Sequence, residues 1–214
     1  MKRSLALALV VMGTVLAATA FAGNQATTAA TSPALTAAPE AIDSLAILER
    51  VVAKDSTRFD NLYQLGVMYL DHERMQEAMQ VFAKANQLQP KNVKVLVNLG
   101  IAADAQGHAD FAQVQYQKAL DLAPTDSIAA CRMASSKYAQ GKYDDSMKMI
   151  RDIIAKQPKA YCAYFTLGVA FADAGIYRDA IRMWHKVVDL APDSPEAVSA
   201  KESIEVLEKF LAGK

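Results

Sequence analysis

Two cysteines are the residues best suited to chemistry in this chain of 214 residues. Cys131 and Cys162 do not form the C-x-x-C spacing of a zinc ribbon or of a thioredoxin-like redox motif. The three histidines, His72, His108 and His185, are scattered and lack the spacing of metal ligands. No Ser/His/Asp set, phosphate-binding loop or carboxylate pair stands out. We therefore predict no metal, no cofactor and no enzyme activity, and a disulfide is the chemistry left to the two cysteines.

The overall composition narrows the class of partner. The chain has 23 Lys and Arg against 23 Asp and Glu, so its formal net charge is zero. A domain that binds nucleic acid electrostatically carries a basic excess, and we expect no nucleic-acid partner here. Hydrophobic residues make up 52% of the chain, which is enough to build a buried core.

The first 22 residues have the order of an export signal. Lys2 and Arg3 form a positive start, an apolar run covers residues 5–18, and Ala20 and Ala22 offer small residues to a signal peptidase. We predict a signal peptide over 1–22, cleaved before Gly23, and no membrane insertion afterwards. The alternative is an uncleaved anchor, although the apolar run is shorter than the roughly 20 residues that span a bilayer. The protein is then exported, into the periplasm if the cell is Gram-negative.

Residues 23–40 consist mainly of Ala, Thr, Ser and Pro and carry almost no charge. Such a segment cannot bury enough apolar surface to offset the entropy of ordering it. Pro33 and Pro39 also argue against a loose helix. We predict a flexible tether.

A spacing of 34 residues organises the rest of the chain. Prolines, small residues and bulky residues each recur at this interval, which is typical of a solenoid built from repeats. We divide this region into four units, 59–92, 93–126, 127–160 and 161–194. The recurring residues are Pro90, Pro124, Pro158 and Pro192; Gly66, Gly100, Ala134 and Gly168; and Phe82, Tyr116, Ile150 and Trp184.

Each unit carries two amphipathic helical patterns separated by a turn. In the second unit, Gly107 opens that turn. Gly100 and Ala112 are small, so two antiparallel helices can approach each other closely, and Tyr116 fills the groove that remains. One pair buries only part of its apolar face, so neighbouring pairs must stack on it.

These residues make the chain resemble the tetratricopeptide repeat family. The matching pattern is L-G-x2-Y/F/A, then A-x3-F/Y/W-x2-A/V, then P, in four tandem units. The resemblance implies an all-α fold, a right-handed α-solenoid of stacked antiparallel helix pairs. Ala134 and Ser146 depart from the pattern, so we expect the third unit to pack a little differently. Glu73 stands where the other units have a turn glycine, so we expect a looser first turn.

The flanks are predicted to be partial repeats. Residues 41–56 form an N-terminal half-repeat helix, and residues 195–214 form a C-terminal capping helix with a polar outer face. The inward residues predicted for the first helix are Leu45, Leu48 and Val52, and those for the last helix are Val198, Ile204, Leu207 and Leu211.

In the resembled family, the first helix of each pair lines a concave trough. Carried over to this chain, the trough positions are apolar with one polar group per unit, and they lack the full cationic pattern that clamps a C-terminal carboxylate. This favours an apolar or amphipathic peptide whose backbone meets the polar groups. The alternative is that some apolar side chains, at Val67, Val97, Ile101 and Val169, only pack between first helices. The residues predicted for the groove are Tyr63, Gln64, Val67, Val97, Asn98, Ile101, Cys131, Arg132, Tyr138, Phe165, Thr166 and Val169.

Cys131 and Cys162 lie on the first helices of adjacent units. An oxidising compartment favours a bridge between them. A bridge needs Cα atoms about 5.5 Å apart, whereas the axes of packed helices lie about 8–10 Å apart. Two states therefore stay open, a disulfide and a pair of buried thiols, and we favour the thiols.

The sequence thus predicts an exported scaffold or adaptor that binds a protein or peptide in its groove, in the assembly or biogenesis of envelope proteins. The alternative is a structural protein that associates with itself, with the groove filled by its own tether or by a second copy. An oligomer of identical chains is compatible with both.

Overall fold

The structure is a computed structural model that describes residues 44–213. The predicted signal peptide and tether lie outside these residues. Within them the chain forms ten α-helices and no strand, which confirms the all-α prediction. The helices are α1 (Ser44–Lys54), α2 (Phe59–Asp71), α3 (Met75–Leu88), α4 (Val93–Ala105), α5 (Ala109–Leu122), α6 (Ser127–Ala139), α7 (Tyr143–Lys156), α8 (Tyr161–Asp173), α9 (Tyr177–Leu190) and α10 (Pro195–Ala212).

The helices stack in chain order, and each packs on the next. We call α2–α3, α4–α5, α6–α7 and α8–α9 units 1 to 4, and we call the contact between consecutive units a joint. Each of the first helices also contacts the next one, in the order α2, α4, α6, α8 and α10. Between the second helices, by contrast, no two Cα atoms lie within 8 Å of each other. The array therefore curves, with the first helices on its concave side.

Close approach of the two helices within a unit depends on glycine. A Cβ added to Gly66 would lie 2.7 Å from the ring of Phe82, and at Gly100 it would overlap the ring of Tyr116 in the same way. The two rings are buried, with relative exposures of 0% and 1%. Gly168 and Trp184 repeat the arrangement in unit 4, where the indole N–H donates to the carbonyl of Phe165 at 3.3 Å.

Unit 3 solves the same packing problem with different residues. Ala134 replaces the glycine, and the smaller Ile150 replaces the ring, so the pair still fits. Ser146 is fully buried, and its hydroxyl donates to the carbonyl of Ala134 at 2.7 Å. A buried hydroxyl needs such an acceptor. The departures seen in the sequence thus produce a local hydrogen bond between α6 and α7.

The turn inside each unit requires a left-handed residue. Gly107 has φ 78°, Gly141 has φ 76° and Gly175 has φ 74°, and Glu73 takes the same conformation at φ 58°. The Glu73 N–H donates to the Leu70 carbonyl at 3.0 Å, close to the equivalent 2.9 Å in unit 2. The expectation of a looser first turn is therefore wrong. The hydrogen bonds of the turn hold Glu73 in a conformation that glycine adopts more readily.

The two terminal helices cover the ends of the array. Leu45 and Val52 of α1 are buried, and Glu49 accepts hydrogen bonds from Arg74 at 2.7 Å and Tyr69 at 3.0 Å. On α10, Ile204 and Leu207 are buried as expected. Val198 is 53% exposed, and the expectation that it faces inward is wrong. Its place is taken by Ala197 and Ala200, because their small side chains let α10 lie close to its neighbours.

No helix of the described residues is both long and apolar enough to cross a lipid bilayer.

Candidate functional site

The concave face carries most of the predicted groove residues on its surface. Of the twelve, Gln64 is exposed, and eight others are partly buried, which leaves part of each side chain open to solvent. These eight are Tyr63, Val67, Asn98, Ile101, Arg132, Tyr138, Phe165 and Val169.

Three predicted groove residues are buried and offer almost nothing to a ligand. Val97 is 6% exposed, Cys131 is 3% exposed and Thr166 is 5% exposed. They point into the contacts between helices, because the first helices approach one another closely on the inside of the curve. Val97 belongs to a core cluster with Leu96 and Ala129. These three residues are removed from the groove, and for Val97 the structure shows the alternative left open by the sequence, packing between helices.

The polar groups predicted to meet a peptide backbone are largely used between helices. Asn98 donates to the hydroxyl of Tyr63 at 3.4 Å, which links unit 2 to unit 1. The hydroxyls of Thr166 and Ser135 lie 2.9 Å apart and share a hydrogen bond, which links units 3 and 4. Polar groups at these positions therefore hold neighbouring units together, and within residues 44–213 Gln64 is the predicted polar group that takes no such role.

Cys131 and Cys162 form a disulfide between α6 and α8, with Cα atoms 5.9 Å apart. The sequence leaves the bridge open but favours two thiols, and on that point the preference is wrong. The distance between helix axes is a poor guide here, because residues on the facing sides of two helices lie closer together than the axes do. α6 and α8 also approach each other more extensively than any other pair of first helices.

A pocket of about 510 Å³ opens on the concave face between units 2 and 3. Ile101, Ala105 and Ala139 give it apolar walls. Asp104 and Arg132 supply a carboxylate and a guanidinium. The pocket therefore combines apolar surface with a strong acceptor and a strong donor.

Two hydroxyl groups from neighbouring helices hold the Asp104 carboxylate in place. Tyr116 donates its hydroxyl to one carboxylate oxygen at 2.9 Å, and Ser136 donates to the other at 3.0 Å. Each oxygen keeps a second acceptor site. Burial raises the pKa of Asp104 above its ordinary value, and these two hydrogen bonds and the charge of Arg132 oppose the rise. Burial and the neighbouring carboxylate raise the pKa of Tyr116, so Tyr116 remains a donor.

An ion pair with α10 holds the Arg132 side chain in place. Its guanidinium contacts Glu196 of α10 at 3.0 Å, and the Glu196 side chain is only 14% exposed. Within the described residues, no ion pair joins Arg132 to Asp104, although both line the pocket. Glu196 therefore holds Arg132 near the pocket, and the guanidinium is not paired with the Asp104 carboxylate on the other wall.

A second polar contact closes the edge of the groove toward unit 4. Tyr138 donates to Asp173 at 3.0 Å, and its ring packs edge-on against Tyr143 with centroids 4.9 Å apart. Burial and the hydrogen bond to Asp173 raise the pKa of Tyr138 to about 12. Tyr138 is therefore a protonated phenol at neutral pH, and its O–H is used in the hydrogen bond to Asp173.

Sequence reasoning did not pair Asp104 with Tyr116, although a signal for this pair was present. Asp104 stands where the other units have Leu70, Tyr138 and Ala172, and Tyr116 adds a hydroxyl where Phe82 has none. A carboxylate and a phenol that replace apolar residues in the same unit predict a hydrogen bond between them.

Among the described residues, no group of His, Cys, Asp and Glu could hold a metal ion.

Comparisons with known proteins identify the repeat. Tetratricopeptide repeat models match residues 59–92 and residues 131–195. Two curated proteins share part of the sequence. A probable UDP-N-acetylglucosamine–peptide N-acetylglucosaminyltransferase SPINDLY of Petunia hybrida is 35% identical over 89 residues, which cover 42% of this chain and 10% of that protein. The mitochondrial import receptor subunit TOM70 of Homo sapiens is 23% identical over 144 residues, covering 64% of this chain and 24% of that protein.

Solved structures agree on the fold. TTC0263 of Thermus thermophilus, a thermophilic TPR protein, superposes with a TM-score of 0.61 at 15% identity, over 75% of this chain and 88% of that chain. YrrB gives 0.51 at 24% identity, over 74% and 81%. MamA of Desulfovibrio magneticus RS-1 gives 0.51 at 18% identity, over 73% and 96%. Since this chain covers only a tenth to a quarter of the two curated relatives, their activities do not transfer with the match.

Proposed function

Because this chain belongs to the tetratricopeptide repeat family, we propose that it is a protein-interaction scaffold that binds an extended apolar or amphipathic segment of another protein in its concave groove. The observation that carries the proposal is the pocket between units 2 and 3, with Asp104 and Arg132 on its walls and no ion pair between them. The same fold in YrrB is described as having an unusual peptide-binding site, which supports the use of such an array for peptides.

The chemistry of the pocket suits a peptide backbone together with one apolar side chain. Asp104 has acceptor sites left for a backbone N–H, and Arg132 has N–H groups left for a backbone carbonyl. Both groups are already oriented, Asp104 by Tyr116 and Ser136 and Arg132 by Glu196. Pre-oriented groups lose less entropy on binding. Ile101, beside them, offers a partly exposed apolar surface to a side chain of the ligand.

The cellular setting belongs to the same proposal. We propose that the protein lies outside the cytoplasm, in the periplasm if the cell is Gram-negative, where it presents or organises other envelope proteins during their assembly. The signal-like first 22 residues and the Cys131–Cys162 disulfide both support export, because disulfides persist in oxidising compartments.

The experiment uses a charge placed in the pocket. Peptides are selected from a random library displayed on phage against the purified protein, and their affinity is then measured for Ile101→Lys and for Val114→Lys. Val114 is 50% exposed on α5 of the same unit and lies outside the pocket, so it controls for the added charge. We expect Ile101→Lys to weaken binding at least about tenfold and Val114→Lys to leave it unchanged.

Equal loss in both variants, or no loss in a folded Ile101→Lys, would contradict the pocket as the binding site. Light scattering on the same samples tests the alternative of self-association. An oligomer that dissociates in Ile101→Lys, without a selectable peptide, would show that a second copy occupies the groove.

A further inference from the structure

The first helix of unit 4 begins without the side-chain cap that α4, α6 and α10 have. α2, which follows Arg58, also lacks one. Asn92, Asp126 and Ser194 stand before α4, α6 and α10, and each side chain accepts an N–H of the first turn, at 3.3, 2.8 and 3.1 Å. The equivalent residue before α8 is Ala160, whose methyl group accepts nothing. The first N–H groups of α8 therefore lack the side-chain acceptor that stabilises the starts of α4, α6 and α10.

The packing of α8 on the preceding unit is also limited. α7 and α8 contact each other over a shorter stretch than α3 and α4 or α5 and α6 do. An open depression of about 450 Å³ lies beside this connection and is lined by Gln157, Pro158, Lys159, Ala160 and Ser127. The start of α8 is thus less supported by α7 than its equivalents are by their preceding helices.

The disulfide lies at this less supported start. Cys162 is in the first turn of α8, two residues after Ala160, and its bond reaches Cys131 in α6. A covalent bond at that position holds the first turn where neither a cap nor the preceding helix does.

We propose that the Cys131–Cys162 bond is a redox-controlled latch on joint 3–4. Oxidised, it holds the first turn of α8 against α6; reduced, it lets that turn fray and the joint loosen. Arg132 and Ser135, which line the pocket, lie on α6 close to Cys131. The effect of reduction on the joint does not depend on the proposed function, whereas the effect on ligand binding rests on it.

The chemistry is thiol–disulfide exchange with a dithiol reductant. One thiolate of the dithiol attacks Sγ of Cys131, and the S–S bond breaks with its electron pair leaving on Sγ of Cys162. The N–H groups of the α8 first turn stabilise that thiolate, which makes it the better leaving group. The second thiol of the reductant then displaces Cys131. The reductant ends as a disulfide, and its two protons end on the two cysteines.

Access to the bond is restricted, because Cys131 is 3% exposed and Cys162 is 7% exposed. A dithiol therefore reacts when the joint opens. Dithiothreitol is a suitable probe.

The test is hydrogen exchange of the full chain, oxidised and after reduction with dithiothreitol, read by mass spectrometry. We expect the amides at the start of α8 to exchange at least about tenfold faster after reduction, while those of α2 to α5 change less than about twofold. Equal exchange at α8 in both states would overturn the proposal, and so would an equal increase in every helix.

A restored cap distinguishes the latch from a general loss of stability. Ala160→Asp supplies the missing acceptor, so we expect reduction to accelerate exchange at α8 several-fold less in this variant than in the parent. If reduced Ala160→Asp exchanges as fast as the reduced parent, the account of α8 as an uncapped helix is wrong. These comparisons use reduction of a folded protein and do not depend on whether cysteine variants fold.

Binding of the phage-selected peptides is measured in both redox states. An affinity that falls about tenfold on reduction supports control of the groove by the latch, and an unchanged affinity overturns it. If no peptide binds in either state, the proposed function fails, and the exchange data still decide whether the latch exists.

Discussion

Joint 1–2 and joint 3–4 occupy equivalent places in the array but are held together differently. At joint 1–2, α4 starts with the Asn92 cap, and its Val95 and Leu99 enter the same apolar cluster as Phe82. At joint 3–4, α8 starts uncapped, contacts α7 less, and is tied to α6 by a disulfide. The comparison shows that a repeat of fixed length can be joined by packing at one place and by a covalent bond at another.

The largest effect is expected from removing the covalent bond. Cys131→Ala combined with Cys162→Ala should lower the free energy of unfolding by about 3 kcal/mol, because the cross-link restricts the unfolded chain over a separation of 31 residues. The loss should appear first in units 3 and 4, since repeats unfold semi-independently. Urea denaturation measures the loss in the free energy of unfolding. Hydrogen exchange of each helix, measured by mass spectrometry, shows in which units the loss appears first. Uniform loss across all four units would contradict the separation of the two joints.

The matching change at joint 1–2 removes packing. Val95→Ala should cost about 2 kcal/mol, because Val95 is fully buried and its loss leaves a cavity between α3 and α4. The same denaturation experiment measures it, with Val114→Ala on the exposed face of α5 as the control. A cost near zero would show that the apolar cluster does not hold this joint.

The cap of α4 is worth less than the packing. Asn92→Ala should destabilise by about 1 kcal/mol, because the Val95 N–H loses its acceptor. Ala160→Asp should give a smaller gain at joint 3–4, because Ala160 is 6% exposed and a carboxylate there loses part of its hydration. Thermal unfolding of the two variants provides a paired test. If both changes are neutral, the difference in capping does not distinguish the joints.

A smaller gain is expected inside unit 1. Glu73→Gly removes the cost of a left-handed side-chain residue, about 1 kcal/mol, and adds the backbone entropy of glycine, about 0.5 kcal/mol. The net gain is about 0.5 kcal/mol in chemical denaturation. The reverse change, Gly107→Glu in unit 2, serves as the control and should destabilise. A loss of stability in Glu73→Gly would show that the glutamate makes a compensating contact.

The smallest effect concerns pH at the pocket between units 2 and 3. Burial raises the pKa of Asp104 above 3.8, so the folded protein holds this proton over a pH range in which the unfolded chain has lost it. The contribution of Asp104 to stability is therefore greatest below its unfolded pKa and falls as the pH rises through its folded pKa. Asp104→Asn should remove this decrease of stability with rising pH. The control Asp71→Asn, on the exposed end of α2, should leave the decrease unchanged. Denaturation across that pH range measures the difference.

The spacing of prolines, glycines and rings is enough to predict the helix pairs, because each residue type has one physical role in the unit. The Gly100–Tyr116 contact, for example, follows from size alone. The burial of Thr166 could not be predicted in this way, and the burial of Val97 is only one of two alternatives. This burial depends on how closely the first helices approach one another, and that approach differs from joint to joint.

The disulfide and the pocket show the same limit for specific sites. Two cysteines on adjacent helices are compatible with a bridge or with thiols, and only the rotation of α6 relative to α8 decides between them. The sequence shows no partner for Asp104, because Tyr116 and Ser136, which hold it, come from two different helices.

The most direct test of the central claim, that the concave pocket binds a protein segment, is site-specific photo-cross-linking. A photoreactive phenylalanine analogue is placed at Ala105, which lines the pocket, or at Val114, on the exposed face of α5. The purified protein is then irradiated with a phage-selected peptide. We expect the Ala105 site to form the adduct at least about tenfold more efficiently than the Val114 site, and an excess of unlabelled peptide to suppress it. Equal adducts at both sites, or an adduct at Val114 alone, would contradict the account.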